Sequence, residues 1–150
     1  MAAEIVRTQK VLYVDCELSD EQFQCRYTDP DSGLFYVFPE NLLRAEILAE
    51  AINTKTYEED IIYNIEEAAI ATECRVIIID NLTYICNSSD KGDVAGLFMM
   101  KLFSLKKRYN WSLLIIAHTP KRNMSNPIIQ NDLAGSKKLY NFFDSVIAIG

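Results

Sequence analysis

The 150-residue sequence contains one histidine, His118, and four cysteines, none of them spaced as C-x-x-C. A zinc site assembled from one imidazole and scattered thiols is not expected from such a set. Cys16, Cys25, Cys74 and Cys86 read as ordinary reduced thiols of a cytosolic protein. No apolar run approaches the roughly 20 residues of a membrane span. The start, Met-Ala-Ala-Glu-Ile-Val-Arg, lacks the apolar core of a signal peptide. A cytoplasmic protein with no membrane partner is the expectation. Two glycine signatures are also missing. No G-x-G-x-x-G follows the first apolar run, which argues against a dinucleotide-binding oxidoreductase. No G-x-x-x-x-G-K-S/T occurs anywhere, so these residues do not supply the loop whose amides and lysine cradle phosphates.

What is present is apolar: 49% of the residues, enough to bury one good core in one domain spanning residues 1–150. The net charge of −6 is unevenly spread. Residues 1–80 carry 17 acids and 6 bases, and residues 81–150 carry 4 acids and 9 bases. This predicts an acidic face and a basic face, unless the two halves mix in the fold.

Val76-Ile77-Ile78-Ile79-Asp80 organises the chain. Four β-branched apolar residues without alternation read as a strand buried on both faces, as in parallel α/β sheets. The same design appears twice more. Val11-Leu12-Tyr13-Val14 runs into Asp15-Cys16-Glu17, and Leu113-Leu114-Ile115-Ile116-Ala117 runs into His118-Thr119-Pro120-Lys121. Ligands of open parallel sheets sit beyond the carboxyl ends of the strands. Glu17, Asp80 and His118 are therefore expected on one edge of one sheet.

Residues 2–9 read as the last turns of a helix that begins without a cap, which predicts a missing upstream segment. Ser19-x-x-Gln22 is a capping box for a short helix through Phe23 to Arg26. Residues 28–33 are turn chemistry, and Leu34–Phe38 reads as a second strand closed by Pro39. Residues 41–52 are strong helix formers. Residues 57–73 place Ile61, Ile62, Ile65, Ala68, Ala69 and Thr72 at helical spacing, with Glu58, Glu59 and Asp60 in the first turn, where the dipole favours acids. Asn87 to Asp90 is expected as a loop and N-cap. Asp93–Tyr109 reads as an amphipathic helix with Leu97, Met100, Leu102, Phe103 and Leu105 on its core side, and with Lys106, Lys107 and Arg108 at its end. Trp111 opens the next strand. Residues 122–132 show no periodicity and read as a mobile loop. A short helix bearing Lys137, Lys138 and Phe142 follows, then a last strand, Val146–Ile149, that ends the chain as though cut. The alternation predicts a mainly parallel central sheet covered by helices on both faces, with right-handed connections.

The chemistry follows from the strand ends. Asp80 can hold Mg²⁺ through water, and Asp80 with Asn81 after it forms the candidate cofactor-binding pair. Glu17 can polarise an attacking water as a general base. His118 can sense a γ-phosphate by a hydrogen bond. Lys121 and Arg122 can stabilise charge on a transferred phosphoryl group, including across a subunit interface.

At these residues the chain resembles the RecA-like P-loop ATPase family, and within it most of all the RepA-type plasmid helicases and related ATPases of mobile elements. Val11 to Ser19 resembles the family's strand ending in the catalytic glutamate. Val76–Asp80 resembles its Walker B strand, and Ile115 to Lys121 its sensor strand. Leu133-Ala134-Gly135-Ser136 with Phe143-Asp144-Ser145-Val146 resembles the segment after its DNA-facing loop. The resemblance implies ATP hydrolysis with Mg²⁺, assembly into rings or filaments, and binding of single- or double-stranded DNA. Arg122, Asn123, Ser125, Asn126, Lys137 and Lys138 would then serve the DNA-facing loop and its surroundings. The missing phosphate loop departs from the family. It implies that residues 1–150 alone do not bind ATP tightly, and that an intact parent carries the activity. The other reading is a non-catalytic oligomerisation or DNA-docking module of the same fold. The lack of any aromatic residue in residues 122–133 counts against that reading as a single-strand groove.

Overall fold

The computed structural model describes residues 2–47, 57–86, 92–118, 128–129 and 139–149. Its centre is a four-stranded sheet: β1 (Val11–Asp15), β2 (Leu42–Glu46), β3 (Val76–Asp80) and β4 (Ser112–Ile116), in the order β2-β1-β3-β4. All three pairings are parallel. The connections carry α2 (Asp20–Arg26), α3 (Tyr57–Ala71), α4 (Leu82–Cys86) and α5 (Gly92–Tyr109), with α1 (Ala2–Ile5) ahead of β1. The α/β class expected from the alternating pattern is the class observed. No helix among the described residues is long and apolar enough to cross a membrane.

Alternation along each strand divides the sheet into two unlike faces. One face carries Leu12, Val14, Ile77 and Ile79. Packed on it are Ile61, Ile65 and Ala69 of α3, Phe98, Met99 and Leu102 of α5, Ile85 of α4 and Trp111. The opposite face carries Val11, Val76 and Ile78, closed over by Val6, Ile5 and the half-buried Tyr13. β3 is buried on both faces because it lies inside the sheet, which is why its apolar run is unbroken. Ser19 accepts from the Gln22 N–H at 3.3 Å and Gln22 answers the Ser19 N–H at 3.0 Å, completing the capping box of α2.

Several expectations are corrected. Residues 42–46 form strand β2, not a helix, because pairing along β1 outweighs the weak helical preference of Leu-Leu-Arg-Ala-Glu. Residues 48–52 lie outside the described residues. Leu34–Phe38 forms no strand; it makes one bridge, Thr28 with Phe35, and its rings gather instead around Phe38, with Phe23 and Tyr27 of the α2 segment. Val146–Ile149 forms no strand with the described residues, and Ile149 is 90% exposed. The helix before β1 covers Ala2–Ile5 rather than 2–9. Within α5 the buried stripe is Ala95, Phe98, Met99, Leu102 and Leu105; Leu97 and Met100 stand 58% and 59% exposed. Expected acidic and basic faces are partly mixed, since Lys101, Lys106 and Arg108 pair with Glu59, Asp144 and Glu66. The expected loop at 87–90 lies outside the described residues.

Candidate functional site

Parallel register brings the strand ends into rows. The last row across the sheet reads Glu46, Asp15, Asp80, Ile116, and the preceding row on the same face, two residues earlier, reads Arg44, Tyr13, Ile78, Leu114. Side chains of both rows leave on the face opposite α3 and α5. Two acids side by side repel, and Asp15 is almost fully buried. The preceding row compensates diagonally. The Tyr13 hydroxyl donates a short hydrogen bond to Asp80 Oδ2, and Arg44 Nε donates to Asp15 Oδ2 at 3.1 Å. Burial, and then the bond to Asp80, push the Tyr13 phenol well above its ordinary range, so it stays a donor.

One residue further on, the chain turns over the rim. Asp15 Oδ1 accepts from the backbone N–H of Glu17 at 3.1 Å and of Leu18 at 2.9 Å, which fixes the turn carrying Glu17. The Cys16 N–H extends the β1–β3 ladder to the Asp80 carbonyl at 2.6 Å. Desolvation, reinforced by the charges of Asp15, Asp80 and Glu17, pushes the Cys16 thiol up to about 12; it is a packing group and not a nucleophile.

Glu17 Oε1 is shared. The Asn81 amide donates to it at 2.5 Å, and His118 Nε2 lies 3.4 Å away. Asn81 is 1% exposed, and its carbonyl accepts from the Tyr84 N–H at 2.9 Å, capping α4. The Asp80–Asn81 peptide is cis. Glu17, Asn81 and His118 thus meet from the ends of three neighbouring strands, with Glu17 and His118 half-exposed at the rim and Asn81 buried beneath them. Asp80 stands beside them with its carboxylate on the other face, held by Tyr13. Lys121, Arg122, Asn123, Ser125, Asn126, Lys137 and Lys138 lie outside the described residues.

Three members of this network were not found from sequence. Tyr13 interrupts an otherwise aliphatic strand at a position two before Asp15, which places it on the same face. Asp15 carries no sequence signal that sets it apart from any acid closing a strand. Arg44 was hidden by reading residues 41–52 as a helix.

Asp80 and Glu17 each offer a carboxylate oxygen, the type Mg²⁺ takes through water, but from different faces of the rim. No cluster of three or more metal-ligating side chains occurs among the described residues.

A parallel sheet whose carboxyl rim gathers an acid pair, an amide and an imidazole has the layout of α/β domains that bind ligands beyond the strand ends. Residues 3–124 match the family model described as AAA domain, and the chain belongs to that family, an ATPase-type P-loop domain. Domains of this family use ATP and Mg²⁺. No curated protein matches the chain.

Proposed function

We propose that this chain forms the hydrolytic rim of an ATP-driven motor that handles DNA, of the kind found in plasmid and mobile-element helicases. The observation that carries the reading is the meeting of Glu17, Asn81 and His118 from three adjacent parallel strands. Glu17, oriented through one oxygen by Asn81, keeps its second oxygen for an attacking water. Asp80, fixed by Tyr13, would position magnesium through water, and the cation would offset charge on the phosphates. His118 pairs with Glu17 and lies four residues ahead of residues 122–133, so it links the hydrolytic acid to the segment proposed to face DNA. In this reading Lys121 and Arg122 stabilise phosphoryl charge, within one subunit or across a ring or filament interface. Arg122, Asn123, Ser125, Asn126, Lys137 and Lys138 contact nucleic acid.

The missing G-x-x-x-x-G-K-S/T favours a second reading, a domain of the same fold that docks or assembles without hydrolysis. One experiment separates the two. A strand, phosphate loop and helix supplied by fusion ahead of residue 2 is expected to give DNA-stimulated phosphate release. Glu17→Gln in that background is expected to slow it about 100-fold or more. Equal rates for the two would remove Glu17 from the chemistry, and no release from either would favour the docking module. Residues 1–150 alone are expected to show no micromolar affinity for Mg·ATP by calorimetry.

A further inference from the structure

We infer that Arg44 is a positioning residue for Glu17, acting as a three-point clasp on the turn that carries it. Its guanidinium uses all three nitrogens on one short segment. Nε donates to Asp15 at 3.1 Å, Nη2 donates to the Leu18 carbonyl at 2.5 Å, and Nη1 pairs with Asp20. These contacts lie on both sides of Glu17 in the chain. The guanidinium plane also rests on the Phe23 ring, 4.4 Å from its centroid, and the Arg44 side chain is 14% exposed. Phe23 belongs to the aromatic group formed with Tyr27 and Phe38, so the side of Arg44 away from Asp15 is backed by a stiff surface.

The physical case rests on what Asp15 must do. Its carboxylate is buried between two other acids of the last sheet row, and an uncompensated charge there is strongly disfavoured. Arg44 sets a guanidinium against it. Asp15 then holds the N–H groups of Glu17 and Leu18 on one oxygen while the other oxygen faces Arg44. Glu17 reaches Asn81 and His118 only with that turn in place. A lysine can supply the charge but not three donors in a planar fork. The clasp is therefore a matter of geometry as well as of charge.

The inference rests on Glu17 being the group that acts on water, but its test needs no nucleotide, so a failed hydrolysis assay and a failed clasp are told apart. The chain provides its own reporters, one histidine at the site and one tryptophan, Trp111, in the core. In proton NMR of the 150-residue chain, Glu17→Gln defines the position of the His118 ring resonance without its carboxylate partner. Arg44→Lys is expected to move the His118 resonance most of the way to that position while the Trp111 indole resonance stays at its wild-type shift. Arg44→Ala is expected to complete the move. Phe23→Leu, which loosens only the backing of the guanidinium, is expected to give a smaller move in the same direction. A wild-type His118 resonance in Arg44→Lys would overturn the clasp, since charge alone would then suffice. A His118 resonance unmoved by Glu17→Gln would overturn the pairing on which the inference depends.

Discussion

The two faces of the sheet are built from the same strands and do different work. One face takes the even-numbered residues of β1 and is sealed by α3 and α5 into a continuous apolar core. The other takes Tyr13 and Asp15, with Arg44 from β2 and Asp80 from β3, and spends its packing on a polar network behind the rim. A parallel strand has one register, so a single pairing pattern fixes both the core and the site. The main core and the polar network are thus separated by the alternation of side chains within each strand rather than by region of the chain.

That separation can be tested by substitution. The largest effect is expected on the packed face. Phe98 is 1% exposed under the sheet, and Phe98→Ala should cost about 3–5 kcal/mol by urea denaturation, through lost burial and the cavity left behind. Next comes an alkaline limb. The Cys16 thiol is raised to about 12 in the fold by burial and by the carboxylates around it. The unfolded chain returns it to its ordinary range near 9, so the stabilising difference is intact below about pH 9 and is lost as the pH climbs toward 12. Stability curves at stepped pH should show this decline, flattened in Cys16→Ala. The smallest effect is expected on the polar face. Tyr13→Phe removes one hydrogen bond to a carboxylate and should cost about 1.5 kcal/mol while leaving the core untouched. If Tyr13→Phe proved as costly as Phe98→Ala, the division of labour between the faces would be wrong.

Most of the sheet was legible because burial on both faces writes itself as an unbroken aliphatic run, as in Val76–Ile79. The acid or imidazole closing each run gave the rim residues Glu17, Asp80 and His118. What stayed hidden lies where local preference and tertiary context disagree. Residues 42–46 contain helix-forming types, yet they pair with β1 as a strand, and with that misreading went Arg44. Leu34–Phe38 has the aromatic content of a strand, but its rings find one another and leave the backbone with one bridge. In α5 Leu102 and Leu105 are buried as expected, but the first turns face differently. Phe98 and Met99 go inward, and Leu97 and Met100 remain outside. Apolar spacing locates a helix well and orients it poorly when adjacent positions are all hydrophobic.

Asn81 shows how narrow the chemical choice at one rim position is. Its side-chain carbonyl accepts from the first turn of α4 while its NH₂ end donates a hydrogen bond to Glu17. An aspartate there would keep the turn but set a second anion against Glu17. A serine would keep the turn and fall short of the glutamate, and a leucine would do neither. A primary amide on a one-carbon tether meets both demands without adding charge, which leaves the carboxylate anchored at one oxygen and unneutralised at the other.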